Sequence, residues 1–257
     1  MLDRFSDNMR ARSAALLVTI DHRLHRILQM WLLLAGLASA ARIAASPLPR
    51  GETGFSSFAP YLLLILAPVV STLLALRWFK DGERQAQPAI RLARVGRWSA
   101  VPSQQARTHP LYGPGGLMVS LLVGMMLNVP VRAAEYLAAM PPLPVSTPPW
   151  LSSLRFALTL DVVLFNSLYM IAAVAALRRV PLFPRLLAAI WIGDLAMQLF
   201  TARLVTASGQ LPPAVASALH TMLQGNVEKV LISVALWLPY LLLSTRVNVT
   251  YRSRIPA

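Results

Sequence analysis

The sequence predicts an all-α, polytopic membrane helix bundle of about six transmembrane helices with both termini in the cytoplasm. Three observations predict it. Of 257 residues, 56% are hydrophobic and only 13% charged, about half the ~25% charge of a soluble domain. The apolar residues come in blocks of about 20, the length that crosses a bilayer core of about 30 Å, where the backbone must pair with itself as helix. The basic residues fall between those blocks, mostly on one side.

The composition also excludes classes of function. A net charge of +14 in a soluble chain would suggest nucleic acid. Here topology and anionic lipid account for it, and no nucleic-acid partner is expected. There are no cysteines, hence no disulfides and no thiolate metal sites. The 4 His lack paired spacing, so neither metal nor cofactor is expected.

The chain opens on a basic leader, 1–23, with Arg4, Arg10, Arg12 and Arg23. Its apolar stretch 14–20 is too short to span and reads as interfacial. The first span is 24–45. A signal peptide competes there, because Ala38-Ser39-Ala40 resembles a cleavage site. The second span is 57–76, with Pro60 near its start and Pro68 inside, where a kink is expected. These two spans form a membrane hairpin, 24–77.

The longest polar segment, 78–114, follows as a basic loop. Arg91, Arg94 and Arg97 are three apart and would share one face of a surface helix on anionic headgroups; an ordinary basic loop is the plain alternative. A four-helix module, 115–245, comes next. Its spans are 115–137, 153–177, 186–206 and 223–243, and a tail, 246–257, closes the chain. Five prolines between 140 and 150 make that loop extended.

Orientation follows from counting. The leader with Arg26, the long loop with Arg77, the turn Arg178, Arg179 and Arg185, and the tail hold 18 of the 24 Lys and Arg. The other six are Arg42, Arg50, Arg132, Arg155, Arg203 and Lys229. That asymmetry puts both termini inside.

The end of the chain, Trp237, Pro239, Tyr240, Ser244, Arg246, Val247, Thr250 and Tyr251, resembles the closing segment of the bacterial inner-membrane family called domain of unknown function 2569. Tyr112-Gly-Pro-Gly-Gly-Leu117 is similar to that family's glycine-rich lead into its first helix, although the usual tryptophan is missing. The turn from Arg178 to Arg185 with Ile190-Trp191 resembles its basic inner loop. The resemblance covers residues 109–252 and implies a four-helix module with inside termini in the bacterial inner membrane. It implies no activity. Read from the residues alone, Trp237 and Tyr240 suit an aromatic belt at the headgroups, and Arg246 would face anionic lipid or a helix C-terminus.

Charges inside a span cost roughly 2.5–3.5 kcal/mol each, so they need a partner or a purpose. Asp161 and Glu228 fall about 6–7 Å outward of their span midpoints, Arg132 and Glu135 about 9–13 Å outward. With Arg155, Arg203 and Lys229 they form one polar layer. Arg132 and Glu135, three apart, are expected to pair within their helix. Asp194 lies near the middle of its span with Gln198 one turn on, and Asn128 lies in the third span. Asp194, Asp161, Glu228, Gln198, Asn128 and Arg132 are therefore the candidate ligand- or ion-binding residues. No nucleophile–base pair, metal cluster or phosphate-cradling loop is present, so no catalytic residue is assigned.

Three functions follow. The first is a non-enzymatic accessory or regulatory membrane component, whose protein partner is another membrane protein or a second copy of the chain. The second is a small transporter or ion- or ligand-binding protein using the polar bundle interior. The third is a membrane-embedded enzyme acting on a lipid-like substrate.

Overall fold

The computed structural model describes the backbone of residues 2–46, 54–89, 96–209 and 211–257 and, in the first helix, the side chains of Ser13 and of Ala15 onward. Its helices are α1 (Leu2–Ala44), α2 (Phe55–Trp78), α3 (Ser103–Arg107), α4 (Leu117–Ala139), α5 (Pro149–Leu177), α6 (Phe183–Ala207), α7 (Pro213–Leu243) and α8 (Thr245–Arg252). All but the short α3 and α8 are long and apolar enough to cross a membrane. The all-α bundle expected from the sequence is the fold observed, and the chain is a multi-pass membrane protein.

Helix α5 is the hub. It packs on α2, α4 and α6, while α1 packs on α2 and α4, and α7 chiefly on α6. The sequence explains the hub. Ala172, Ala173, Val174, Ala175 and Ala176 are all buried, and small side chains let neighbouring backbones approach closely where no water drives helices together. Prolines stand in the first turn of α5, α6 and α7, where the missing N–H would be unpaired in any case. Helix α2 is tied in by Tyr61, whose hydroxyl donates to the Met140 carbonyl at 3.0 Å. Helix α1 is tied to α2 by the Trp31 indole, which donates to the Ile65 carbonyl at 2.9 Å.

Two local expectations are corrected. The stretch 14–20 is not a separate interfacial segment but part of α1. No proline interrupts residues 2–44, and Leu17 and Ile20 pack against the main core. Ala38-Ser39-Ala40 lies within that helix with Ser39 buried. The surface helix expected through Arg91, Arg94 and Arg97 does not include Arg97. Gly96 has φ +92, and Arg97 leads into strand β1 (Trp98–Ala100). Arg91 and Arg94 lie outside the described residues.

The C-terminal segment is docked rather than trailing. Strand β2 (Arg254–Pro256) pairs antiparallel with β1, Ser99 opposite Ile255, so the chain's end is stitched to the long basic loop. Tyr251 on α8 is fully buried. Its hydroxyl donates to the Ala176 carbonyl at 2.9 Å, and its ring lies 5.0 Å from Phe183. Burial pushes the Tyr251 hydroxyl well above the usual tyrosine range. The Arg252 guanidinium donates to the Leu241 carbonyl at 2.8 Å and to Asn248 Oδ1 at 2.9 Å. Burial, with Arg254 and Arg185 nearby, lowers it to about 10, so it stays charged at neutral pH. Arg246 does not simply face lipid: it turns back and donates to the Gly113 carbonyl at 3.2 Å. Trp237 and Tyr240 meet edge to face, 6.0 Å apart, half-buried against the core.

This docking predicts a graded loss. Tyr251→Ala should cost about 3–5 kcal/mol of stability, while Tyr251→Phe, which keeps the ring, should cost about 1 kcal/mol. Thermal melts of the detergent-purified protein measure both.

Candidate functional site

The polar centre of the bundle is organised by one side chain, Arg132 on α4. Its three donor groups reach three helices. Nε donates to Asn128 Oδ1 at 3.3 Å, one turn back on α4. Nη1 donates to Asp161 Oδ2 on α5 at 2.9 Å. Nη2 donates to Asp194 Oδ2 on α6. The guanidinium also lies over the rings of Phe165, 5.1 Å away, and Tyr169, 5.8 Å away, which a cation favours electrostatically.

A second side chain closes the network. Gln198 Nε2 lies 3.3 Å from Asp161 Oδ1 and 3.3 Å from Asp194 Oδ1. Its Oε1 accepts from Asn226 Nδ2 on α7 at 3.2 Å. The network thus joins all four helices from α4 to α7. Asp194 is completely buried, whereas the side chains of Asp161 and Arg132 keep 15% and 12% exposure. That difference matters, because Asp161 is the carboxylate with access to space outside the cluster. Asp194 is eleven residues into α6 and Asp161 sixteen residues before the end of α5. They therefore sit about 16 and 24 Å from the face that carries both termini.

The space is a cavity of about 560 Å³ between α4, α5 and α7. Arg132, Asp161 and Asn226 form its inner end. Ala138, Ala139, Leu158 and Met222 wall it, and Gly225 leaves it open on the α7 side, with nothing within 4 Å of where a Cβ would stand. At its rim Lys229 Nζ bonds Glu135 Oε1, and both side chains are exposed.

Five of the six expected candidates converge here: Asp194, Asp161, Gln198, Asn128 and Arg132. Glu228 does not. It is exposed and accepts from Gln224 Nε2 one turn earlier on its own helix, at 3.0 Å. Residues two apart on a helix point to nearly opposite sides, so Asn226 faces the cluster and Glu228 faces away. The within-helix pair Arg132–Glu135 is also absent: Arg132 takes the two buried aspartates, and Glu135 takes Lys229 from α7. Among the described residues Arg155 and Arg203 join no ion pair with the cluster. Asn226, Tyr169 and Phe165 were missed by the sequence reading. A polar side chain inside a span was a signal for Asn226, but the neighbouring charges outweighed it. Nothing distinguished the two aromatics from ordinary apolar packing.

Comparison with protein-family models, curated proteins and solved structures finds no match to this chain. Among the described residues no group of three His, Cys, Asp or Glu is arranged to hold a metal ion.

The geometry makes unequal demands on the candidates. Arg132→Met strands two buried carboxylates, and breaking such a pair costs about 3–5 kcal/mol. Glu228→Gln touches only its own helix face and should change stability by less than about 0.5 kcal/mol. Melting of the two variants in the same detergent separates them.

Proposed function

We propose that the chain is a non-enzymatic binding protein of the bacterial inner membrane, with both termini in the cytoplasm, that takes a small amphipathic organic cation into the cavity between α4, α5 and α7 in exchange for a proton. One observation carries the reading. Arg132 supplies one positive charge against two negative charges, Asp161 and Asp194, while Lys229 and Glu135 cancel at the rim. An unmatched negative charge inside a membrane is expensive, and a proton or a bound cation removes the mismatch.

Two further features support it over polar glue. Glue needs a balanced, closed cluster; this one is unbalanced and opens on a cavity. A volume of about 560 Å³ lies within the ~300–1,000 Å³ of small-molecule sites, and its apolar walls suit a ligand with an apolar body. Protonation of the cluster removes the excess charge, so binding weakens as pH falls.

The second reading, an accessory component with a membrane-protein partner, rests on the outermost helices. The apolar cores of the α1 and α7 spans are 17% and 11% buried, against 56% for α5. Membership of the family called domain of unknown function 2569 is part of either proposal and rests on the closing residues Trp237 to Tyr251; it adds no activity.

Asp161→Asn tests the main reading. It removes the excess charge yet leaves Arg132 paired with Asp194, so the fold should survive while tetraphenylphosphonium binding, followed by calorimetry of the purified protein, falls at least about tenfold. Gly225→Leu should block the cavity and abolish binding without touching a charge. A wild-type protein that binds no tetraphenylphosphonium, or variants that bind it unchanged, would refute the proposal. An Asp161→Asn protein that fails to fold would favour glue.

A further inference from the structure

A second cavity, of about 420 Å³, lies far from the first, on the face that carries both termini. It is bordered by the loop before α4, the end of α5, the α1 stretch through Leu17 and Val18, and Arg246 at the start of α8. These are ends of membrane helices, so the cavity sits at headgroup depth. Two guanidinium groups line it, Arg179 and Arg246.

Arg246 is held there by backbone, and Arg179 by Glu83 and the Tyr112 ring. Arg246 Nη1 donates to the Gly113 carbonyl, and its guanidinium rests on the glycines of the loop before α4. A Cβ on Gly115 would stand 3.1 Å from Arg246 Nη1, closer than ordinary packing allows. Among the described residues no carboxylate pairs with Arg246. Arg179 has φ 55. It occupies the left-handed position that ends α5, where its N–H donates to the Ala176 carbonyl at 3.2 Å and the Val180 N–H donates to the Ala175 carbonyl at 2.9 Å. Glycine is the usual residue at such a helix end, and any other L-residue is disfavoured there by sterics. Arginine here accepts that strain and places a side chain at the wall of the cavity. Its Nη1 pairs with Glu83 at 3.0 Å and its guanidinium lies 5.3 Å from the Tyr112 ring, while its Nε has no partner among the described residues. The acid that lines the cavity among the described residues, Asp21, pairs with Arg178 at 3.4 Å.

We propose that this cavity seats the phosphate of an anionic phospholipid, held by Arg246 and Arg179, with the acyl chains running along Leu17 and Val18 of α1. Guanidinium groups match a phosphate's geometry better than any other side chain. Leu17 and the exposed Val18 give α1 an apolar strip between the polar Ser13 and Asp21; such a strip suits the acyl chains of a lipid and adds nothing for a free anion. This site shares no residue with the polar cavity, so it stands or falls separately from the proposed function.

Native mass spectrometry of the full chain in mild detergent tests it, with phosphatidylglycerol, phosphatidylcholine or inorganic phosphate added. Wild type should retain phosphatidylglycerol over phosphatidylcholine. Arg246→Gln and Arg179→Gly should each lower that preference at least about tenfold, with Arg97→Gln, an exposed arginine elsewhere, unchanged. Arg179→Gly relaxes the backbone strain, so a folded variant is available even if Arg246→Gln fails to fold. Equal retention of the two lipids, an unchanged preference in Arg179→Gly, or an equal fall in Arg97→Gln would overturn the proposal. Displacement of the lipid by millimolar inorganic phosphate would reassign the cavity to a free anion and overturn it as well.

Discussion

A single buried guanidinium sets the arrangement of the bundle's second half. Arg132 cannot be left unpaired at membrane depth, where a lone charge costs several kcal/mol. Its partners come from α5 and α6, Asp161 and Asp194, so pairing it fixes the rotation of both helices against α4. Gln198 then extends the constraint to α7 through Asn226. Apolar packing alone would leave these rotations poorly specified, because lipid solvates an apolar helix face as well as another helix does. The polar network supplies the directionality that the apolar surfaces lack, and α5, with its run of small residues, supplies the close approach that lets the charges meet.

The other end of the module is organised by backbone rather than charge. Three separated segments meet there: the glycine loop at Tyr112–Gly116, the turn at Arg178–Val180, and the α7–α8 joint. The Thr250 hydroxyl lies 2.9 Å from the Gly113 N–H, Arg246 bonds the Gly113 carbonyl, and Tyr251 bonds the Ala176 carbonyl. These are the segments whose sequence stands out as patterned, and their meeting gives the pattern a physical reason. Each residue bonds a backbone group at a helix end or in a loop. Glu83 extends the junction into the long loop, accepting from Arg179 and, at 3.4 Å, from the Tyr112 hydroxyl. Burial and the nearby Glu83 carboxylate raise the Tyr112 hydroxyl above the usual tyrosine range.

Some of this was legible in the sequence, for definable reasons. Spans read clearly because crossing a bilayer demands about 20 apolar residues, and Asp194, Asp161 and Arg132 stood out because charges in such blocks are costly. The phase of α7 was not legible. Residues 224–229 read Gln-Gly-Asn-Val-Glu-Lys, with polar groups on every side of the helix, so nothing local says which faces inward, and the charged residue drew attention although the amide was the partner. The continuity of α1 through 14–20 was also hidden, because the stretch alone is too short to span and only its packing on the bundle shows its place. The docking of α8 rests on contacts between residues 75 to 137 positions apart, and the β1–β2 pairing on residues more than 150 apart, which no periodicity encodes.

The coupling between Arg132 and Asp194 is the most direct measure of whether the buried guanidinium governs the bundle. A double-mutant cycle with Arg132→Met and Asp194→Asn, read as unfolding free energy in one detergent, isolates it. A controlling ion pair predicts that the double variant is more stable than Arg132→Met alone, with a coupling of at least about 2 kcal/mol. Strictly additive losses would contradict the account and leave apolar packing as the source of the helix arrangement.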